Sequence, residues 1–389
     1  MCTENCSRES NRCSSYTNVA QSSIFPSSDE SSYRSSSASE GNCQKSYSSE
    51  AGPSTSTMSQ PNVDGMQIIR QSLSECRISP EIANVIMFSW RGSTKKQYNV
   101  YIGKWIQFCS KRTCDPLHPT VNNVLGYLHS LYEKGLSYSA LNTARSAISN
   151  IDSSHIQPNH IPVGKHPLVC RYLKGIFNKQ KPVPKYNTIW SVDIVLDYLS
   201  RLWPLGKITL KELTLKLVML IALTTGQRCK TQTYLDISDP YMKKNENCFE
   251  FALTEHLKQD RPGKVFGNVR LYKYPIKERC VYETLEFYLK ATEQCRNSTS
   301  LLVSFIKPYK AVTSSTIGRW LKSVLASAGI DTDMYSAHST RCASTSKAVA
   351  TVSADMIIRT AGWNEESTFR KFYDRPVALT NQMSTSVLE

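Results

Sequence analysis

Two arginines, a histidine, a tryptophan and a tyrosine stand out by type and spacing. His338 and Arg341 share the phrase Ala-His-Ser-Thr-Arg, and Trp363 follows Gly362. Tyr373 sits in Phe-Tyr-Asp, and Arg228 lies far upstream in Thr-Thr-Gly-Gln-Arg-Cys. These are the parts needed to break a phosphodiester without metal. A phosphate in mid-transfer carries two negative charges, which two guanidinium forks hold with paired, charge-assisted hydrogen bonds. A tyrosine oxygen is a suitable nucleophile, and the phosphotyrosyl intermediate stores the bond energy for rejoining. A free phenol ionises at about pH 10. Attack at neutral pH therefore calls for nearby cations to favour phenolate and for a base such as His338 to take the proton.

Positioning such a set takes a folded body, and the sequence predicts two. Residues 1–65 are close to one-third serine, with few large apolar side chains and no period. Such a segment buries too little surface to offset its ordering entropy and is expected to be a disordered tail. From residue 66 the pattern turns helical. Ser79-Pro80 begins one helix with a cap-like serine and a proline in the first turn. Tyr98, Tyr101, Trp105 and Phe108 then recur at three- and four-residue spacing, one apolar helical face with lysines opposite. Further helices are expected over 120–134, 137–151 and 167–179. The aromatic stripe reads as core, so residues 66–180 form a small helical bundle with Lys95, Lys96, Lys104, Arg145 and Lys174 among its exposed basic residues. Lys181-Pro-Val-Pro-Lys185 reads as a linker (181–186), extended by its prolines and able to follow a phosphate backbone with Lys181 and Lys185.

The second domain, 187–376, opens with helices over 191–202 and 210–224, placing Arg228 just after the second, beyond Gly226. Two alternating segments, 249–257 and 267–274, predict a small antiparallel sheet whose connection carries Lys258, Lys264 and a Pro262-Gly263 tip. Helices follow over 280–295, 314–328 and 339–350, and a last one over 367–373 carries the tyrosine. Residues 377–389 read as a C-terminal tail. The fold class is thus mainly α with a small β-sheet, and no internal repeat is visible.

The chain of 389 residues has a formal net charge of +15. Its first 65 residues hold four basic and seven acidic side chains, a net −3, which leaves +18 on the remainder. A body that basic suits a polyanion, nucleic acid above all, since each neutralised phosphate releases counterions. Thirteen cysteines at irregular spacing, an odd number, read as reduced thiols rather than a disulfide framework. The polar, serine-rich start predicts no leader, and the longest apolar run, 217–223, is too short to span a bilayer. Cys109, Cys114 and His118 have loosely metal-like spacing but lack an evident fourth ligand, so no metal centre is expected.

Taken in order, Arg228, Lys258, His338, Arg341, Trp363 and Tyr373 resemble the signature of the tyrosine recombinases, the phage-integrase-like site-specific recombinases. The resemblance covers about residues 66–380. The phrases around Arg228, Leu257-Lys258, Lys-Pro308-Tyr-Lys, His338 and Ser-Thr-Phe369-Arg-Lys-Phe-Tyr373 are similar to its eukaryotic mobile-element branch, the Crypton, Ngaro and DIRS-type recombinases. The resemblance implies an N-terminal helical core-binding (SAM-like) bundle and a mixed α/β catalytic domain closing as a C-shaped clamp on duplex DNA. It implies a 3′-phosphotyrosyl intermediate, homo-oligomers from dimer to tetrameric synapse, a nuclear location, and no metal, nucleotide cofactor or membrane. It also implies that Lys258 protonates the departing 5′ oxygen and that Trp363 donates its indole N–H beside the phosphate. Lys264 competes with Lys258 on the same turn. Tyr335 competes with Tyr373 but precedes the His-x-x-Arg phrase and is out of order.

Two departures from the pattern stand in the sequence. Thr231 occupies a position where the family commonly has an acidic residue. Tyr373 falls ten residues after Trp363 rather than nine, which places Phe372 at the usual position and the extra residue in the loop at Asn364. Alternative readings are a domesticated, non-catalytic DNA-binding protein on the same fold, or a strand-swivelling type IB topoisomerase-like activity.

Overall fold

Hydroxyl caps start half of the described α-helices. In the computed structural model, which describes residues 64–152, 161–180, 186–258, 260–263, 265–363 and 366–377, the chain divides into two compact units between Pro182 and Val183. The first unit holds α1 (Gly65–Glu75), α2 (Pro80–Phe88), α3 (Gly92–Arg112), α4 (Val121–Glu133), α5 (Tyr138–Ser149) and α6 (Pro167–Lys179). Ser79, Thr120 and Ser137 each accept a backbone N–H from the first turn of α2, α4 and α5. Such caps are each worth about 1 kcal/mol. The apolar face of α3 turns inward as its spacing predicts. Trp105 is fully buried, stacks on Phe108 at 5.8 Å and donates its indole N–H to Pro116 O at 3.0 Å. Tyr127 of α4 meets it edge-on and donates to Tyr101 O at 2.7 Å.

The second unit is built around α8 (Leu210–Thr225), where every residue from Leu213 to Leu223 is buried. A helix apolar on all sides belongs in the middle of a core, and α8 packs against three later helices, α10 (Val281–Thr292), α11 (Ser314–Ser327) and α12 (Ser339–Ala348). A Thr209–Glu212 capping box starts it, and Gly226 ends it in the left-handed conformation, φ 59°. Lys216 lies inside this helix, wholly buried, and donates from Nζ to Leu202 O at 2.7 Å. That carbonyl belongs to the C-cap of α7 (Val192–Arg201). After α9 (Cys229–Gln232) come β1 (Met242–Lys244), β2 (Cys248–Phe251) and β3 (Val269–Tyr272), an antiparallel sheet of order β1-β2-β3 in which Met242 faces Phe251 and Val269 faces Phe251. Helices α13 (Ala354–Ala361) and α14 (Glu366–Phe372) complete the unit.

Several expectations are corrected. The strands are shorter than 249–257 and 267–274. Asp260 draws the connection out of the ladder by accepting Leu257 N at 2.7 Å and Phe266 N at 3.0 Å. The third strand, β1, carries too few residues to show a period, whereas α13, absent from the expected elements, is marked by its Ser353 cap and by Ala354, Ile357, Ile358 and Ala361 at helical spacing. Tyr373 is not in the last helix but just beyond it, its N–H bonded to Phe369 O at 2.8 Å. The chain then returns to the start of the unit, where Ile189 N bonds Pro376 O at 2.9 Å and Ile189 pairs with Val377. The serine-rich residues 1–63, most of the 181–186 linker, and residues 378–389 lie outside the described residues. No described helix is long and apolar enough to cross a membrane.

Candidate active site

Helix α12 positions two of the six residues, because His338 at its N-cap and Arg341 one turn on share a face. Arg341 is 2% exposed. Its Nη1 donates to Gly226 O at 2.6 Å and its Nη2 to Ala361 O at 2.9 Å. The guanidinium therefore staples the loop before Arg228 to the segment that leads into Trp363. Gly226 makes the approach possible, since a Cβ there would lie 3.3 Å from both Ala361 and Thr345 in an already left-handed backbone. Arg228 follows as the half-buried N-cap of α9. Burial first, and the Arg228 charge second, hold Arg341 below the usual guanidinium range, pushed down to about 9, while Tyr373 pulls it up. The Arg228 charge thus disfavours the second cation at Arg341, a repulsion that a bound anion would relieve.

Trp363 enters from the other side. Gly362, φ 74°, ends α13, and the N–H of Trp363 bonds back to Ile358 O at 3.0 Å. The Trp363 ring lies 3.9 Å from Cζ of Arg341 and 4.7 Å from the Tyr373 ring, and it also packs on Phe369. Trp363 Nε1 and Arg341 Nε are buried with no hydrogen-bond acceptor among the described residues. Buried donors left this way are costly in a folded protein and mark places where a ligand acceptor fits.

Tyr373 closes the cluster. Its Oη and Nε2 of the exposed His338 lie 3.2 Å apart, with the phenol donating when Nε2 is unprotonated. Their rings meet edge-on at 5.9 Å. Arg228, His338, Arg341, Trp363 and Tyr373 are therefore joined by direct contacts or charge. Tyr335 is buried in the unit's core and its hydroxyl donates to Thr188 O at 3.4 Å. Lys258 belongs to a different element, the β2–β3 loop, where it is exposed beside the buried Leu257. Lys264 and the loop residues Asn364 and Glu365 lie outside the described residues. Thr231, where an acidic residue was the pattern, is buried.

Two contributors were not singled out from sequence. Gln227 donates from Nε2 to Thr360 O at 2.7 Å, a second tie between the two segments that Arg341 joins. Ser346, on the His338–Arg341 face of α12, donates to Tyr373 O at 2.8 Å. Its spacing from His338 by eight residues is the signal that was available.

Among the basic residues of the first unit, Lys96, Lys104 and Lys174 are exposed, and Lys95 is half-buried with Nζ 5.4 Å from the Phe88 ring. Lys104 Nζ lies 5.5 Å from the Tyr101 ring. Arg145 departs from expectation. It is half-buried, and its Nη1 donates to Gly164 O at 2.7 Å, so the guanidinium braces the chain ahead of α6 rather than facing solvent. Lys181 and Lys185 lie outside the described residues. His118 turns to Asp115 at 2.6 Å and to Glu75 at 3.7 Å. No group of three or more His, Cys, Asp or Glu side chains suited to a metal occurs among the described residues.

No protein-family model and no curated protein matches the sequence. Solved structures do. The Tn1549 transposon integrase in complex with transposon right-end DNA matches with a TM-score of 0.54 at 13% identity, over 82% of this chain and 98% of that one. The same integrase with circular intermediate DNA matches at 0.53 and 12%, over 83% and 99%. The XerH site-specific recombinase bound to a palindromic difH substrate, a post-cleavage complex, matches at 0.53 and 14%, over 85% and 91%. The chain thus has the fold of the tyrosine recombinases and integrases.

Proposed function

We propose that the protein is a site-specific DNA recombinase or integrase that cuts and rejoins duplex DNA through Tyr373. The observation that carries this reading is the contact of the Tyr373 phenol with His338 beside a cation-rich cluster of Arg341, Trp363 and Arg228. In the proposed step His338 takes the phenol proton and Tyr373 Oη attacks phosphorus. The bond from phosphorus to the 5′ oxygen breaks, giving a 3′-phosphotyrosyl link and a 5′ hydroxyl whose proton comes from Lys258. Arg228 and Arg341 balance the charge that gathers on the non-bridging oxygens, an electrostatic task, and Trp363 offers its unpaired indole N–H. Attack by a 5′ hydroxyl from a second strand reverses the step and completes strand exchange.

Duplex DNA as substrate accords with the +18 charge outside the first 65 residues and with the DNA-bound state of the structural relatives. Strand exchange needs a partner strand cut at the same time, so the working form is an oligomer on DNA, two protomers for one exchange and four for a full synapse. The phrases that resemble the Crypton, Ngaro and DIRS-type recombinases support integration or excision of a mobile element in the nucleus.

The test is covalent trapping on nicked duplexes drawn from sequences flanking the gene. Wild type is expected to form a denaturant-resistant protein–DNA adduct. Tyr373→Phe, which removes only the nucleophilic oxygen, is expected to bind the same DNA and form none. An adduct from Tyr373→Phe would refute the assignment.

A further inference from the structure

Three side chains of α12 converge on the backbone carbonyl of Tyr373. Ser346 Oγ donates to it at 2.8 Å, Thr345 Oγ1 lies at 3.5 Å and Cys342 Sγ at 3.6 Å. Ser346 Oγ also accepts the N–H of Arg375 at 3.0 Å. One hydroxyl therefore holds the chain on both sides of the phenol-bearing residue. The other two are weaker anchors. Thr345 Oγ1 is engaged with Arg341 O at 2.8 Å, and a thiol is a poor donor.

The spacing gives this contact its meaning. His338, Arg341, Cys342, Thr345 and Ser346 follow one another by three, one, three and one residues, a single face of one helix. The N-terminal end of that face meets the phenol, through Nε2 of His338 at 3.2 Å from Oη. Its middle carries the Arg341 guanidinium, 5.5 Å from the Tyr373 ring. Its C-terminal end grips the Tyr373 backbone. A rigid helix thus measures the distance from the base and the arginine to the main chain of the tyrosine. The phenol oxygen is the far end of a long, stiff side chain, so a small tilt at the backbone becomes a larger displacement at Oη.

We propose that Ser346 is the positioning residue for Tyr373, fixing the main chain so that Oη reaches the place set by His338 and Arg341. The proposal rests on the reading of Tyr373 as nucleophile and deepens it. Ser346 touches no reacting atom and acts only through the tyrosine.

The test compares Ser346→Ala with Ser346→Thr, which keeps a hydroxyl, on the nicked DNA that traps wild type. A misplacement of about 1 Å costs up to about 10²-fold in rate, so Ser346→Ala is expected to form adduct about 10- to 100-fold more slowly at saturating DNA. The final yield and the DNA affinity stay at the wild-type values, and Ser346→Thr recovers most of the rate. In the free protein, hydrogen exchange at the Arg375 amide is expected to speed up in Ser346→Ala and not in Ser346→Thr. A wild-type rate for Ser346→Ala overturns the proposal. So does a loss seen only as reduced yield, equal in both variants, which is the mark of a folding defect. If wild type itself forms no adduct, the recombinase reading falls, and Arg375 exchange alone decides the anchoring. Equal exchange in wild type and Ser346→Ala then refutes it.

Discussion

Lys216→Met tests the helix from which Arg228 hangs. Lys216 is wholly buried in α8, and burial pushes its ammonium from 10.5 down to about 8, partly offset by Glu278. Below about pH 8 both the folded and unfolded chains hold this proton, so the cost of burying the charge is constant and fully present. Between about pH 8 and pH 10.5 the unfolded chain keeps a proton that the folded chain has released, and stability rises with pH by up to about 1.4 kcal/mol per unit. Above that window the two states match again. The whole window amounts to about 3 kcal/mol. Methionine has similar volume and no proton to lose, so the variant lacks this rise and keeps every other titration. The assay is urea unfolding of wild type and Lys216→Met, followed by tryptophan fluorescence, from about pH 7 to pH 10. Wild type is expected to gain about 2–3 kcal/mol on the variant across that range. A difference that stays constant with pH would refute the reasoning, because it would mean that the buried amine does not titrate in this window.

The other predictions concern the reaction. On a substrate whose bridging 5′ oxygen is sulfur, the leaving group needs no proton. Lys258→Ala is therefore expected to regain most of the two to four powers of ten that a general acid supplies, roughly, while Arg228→Ala and Arg341→Lys stay defective. Rescue of Lys264→Ala in place of Lys258→Ala would move the acid along the turn, and rescue of neither would remove it from the turn. Adduct formation is expected to persist in excess EDTA, since the arginines supply the positive charge; loss restored by magnesium would show metal-dependent chemistry instead.

What the sequence made legible is local. Ser79 announces its helix because a cap acts within three residues, and the same chemistry stands at Thr120 and Ser137, the starts of two further expected helices. The three-residue step from His338 to Arg341 is a helix face wherever the helix sits. The aromatic spacing of α3 likewise fixes which side is buried. The misses come from contacts between distant segments. Arg145 looks like a surface cation until Gly164 supplies its acceptor. The strand after Phe249 looks longer until Asp260 claims the backbone of its connection. Gln227 and Ser346 are ordinary polar residues in sequence, and only Thr360 and Tyr373, brought near by the fold, give them a task. Why Thr231 stands where an acidic residue was the pattern has no explanation in the contacts it makes.

The pairing of Ile189 with Val377 has a consequence for how the molecule is made. The first and last described parts of the second unit meet there, with Arg375 reaching Tyr186 O beside it. Tyr373 lies within this final return, so its seat cannot form until almost the whole unit has been synthesised and has closed on itself. Contacts so far apart in sequence are costly in loop entropy and form late. A chain emerging from the ribosome thus carries Arg228 well before Tyr373 can take its seat.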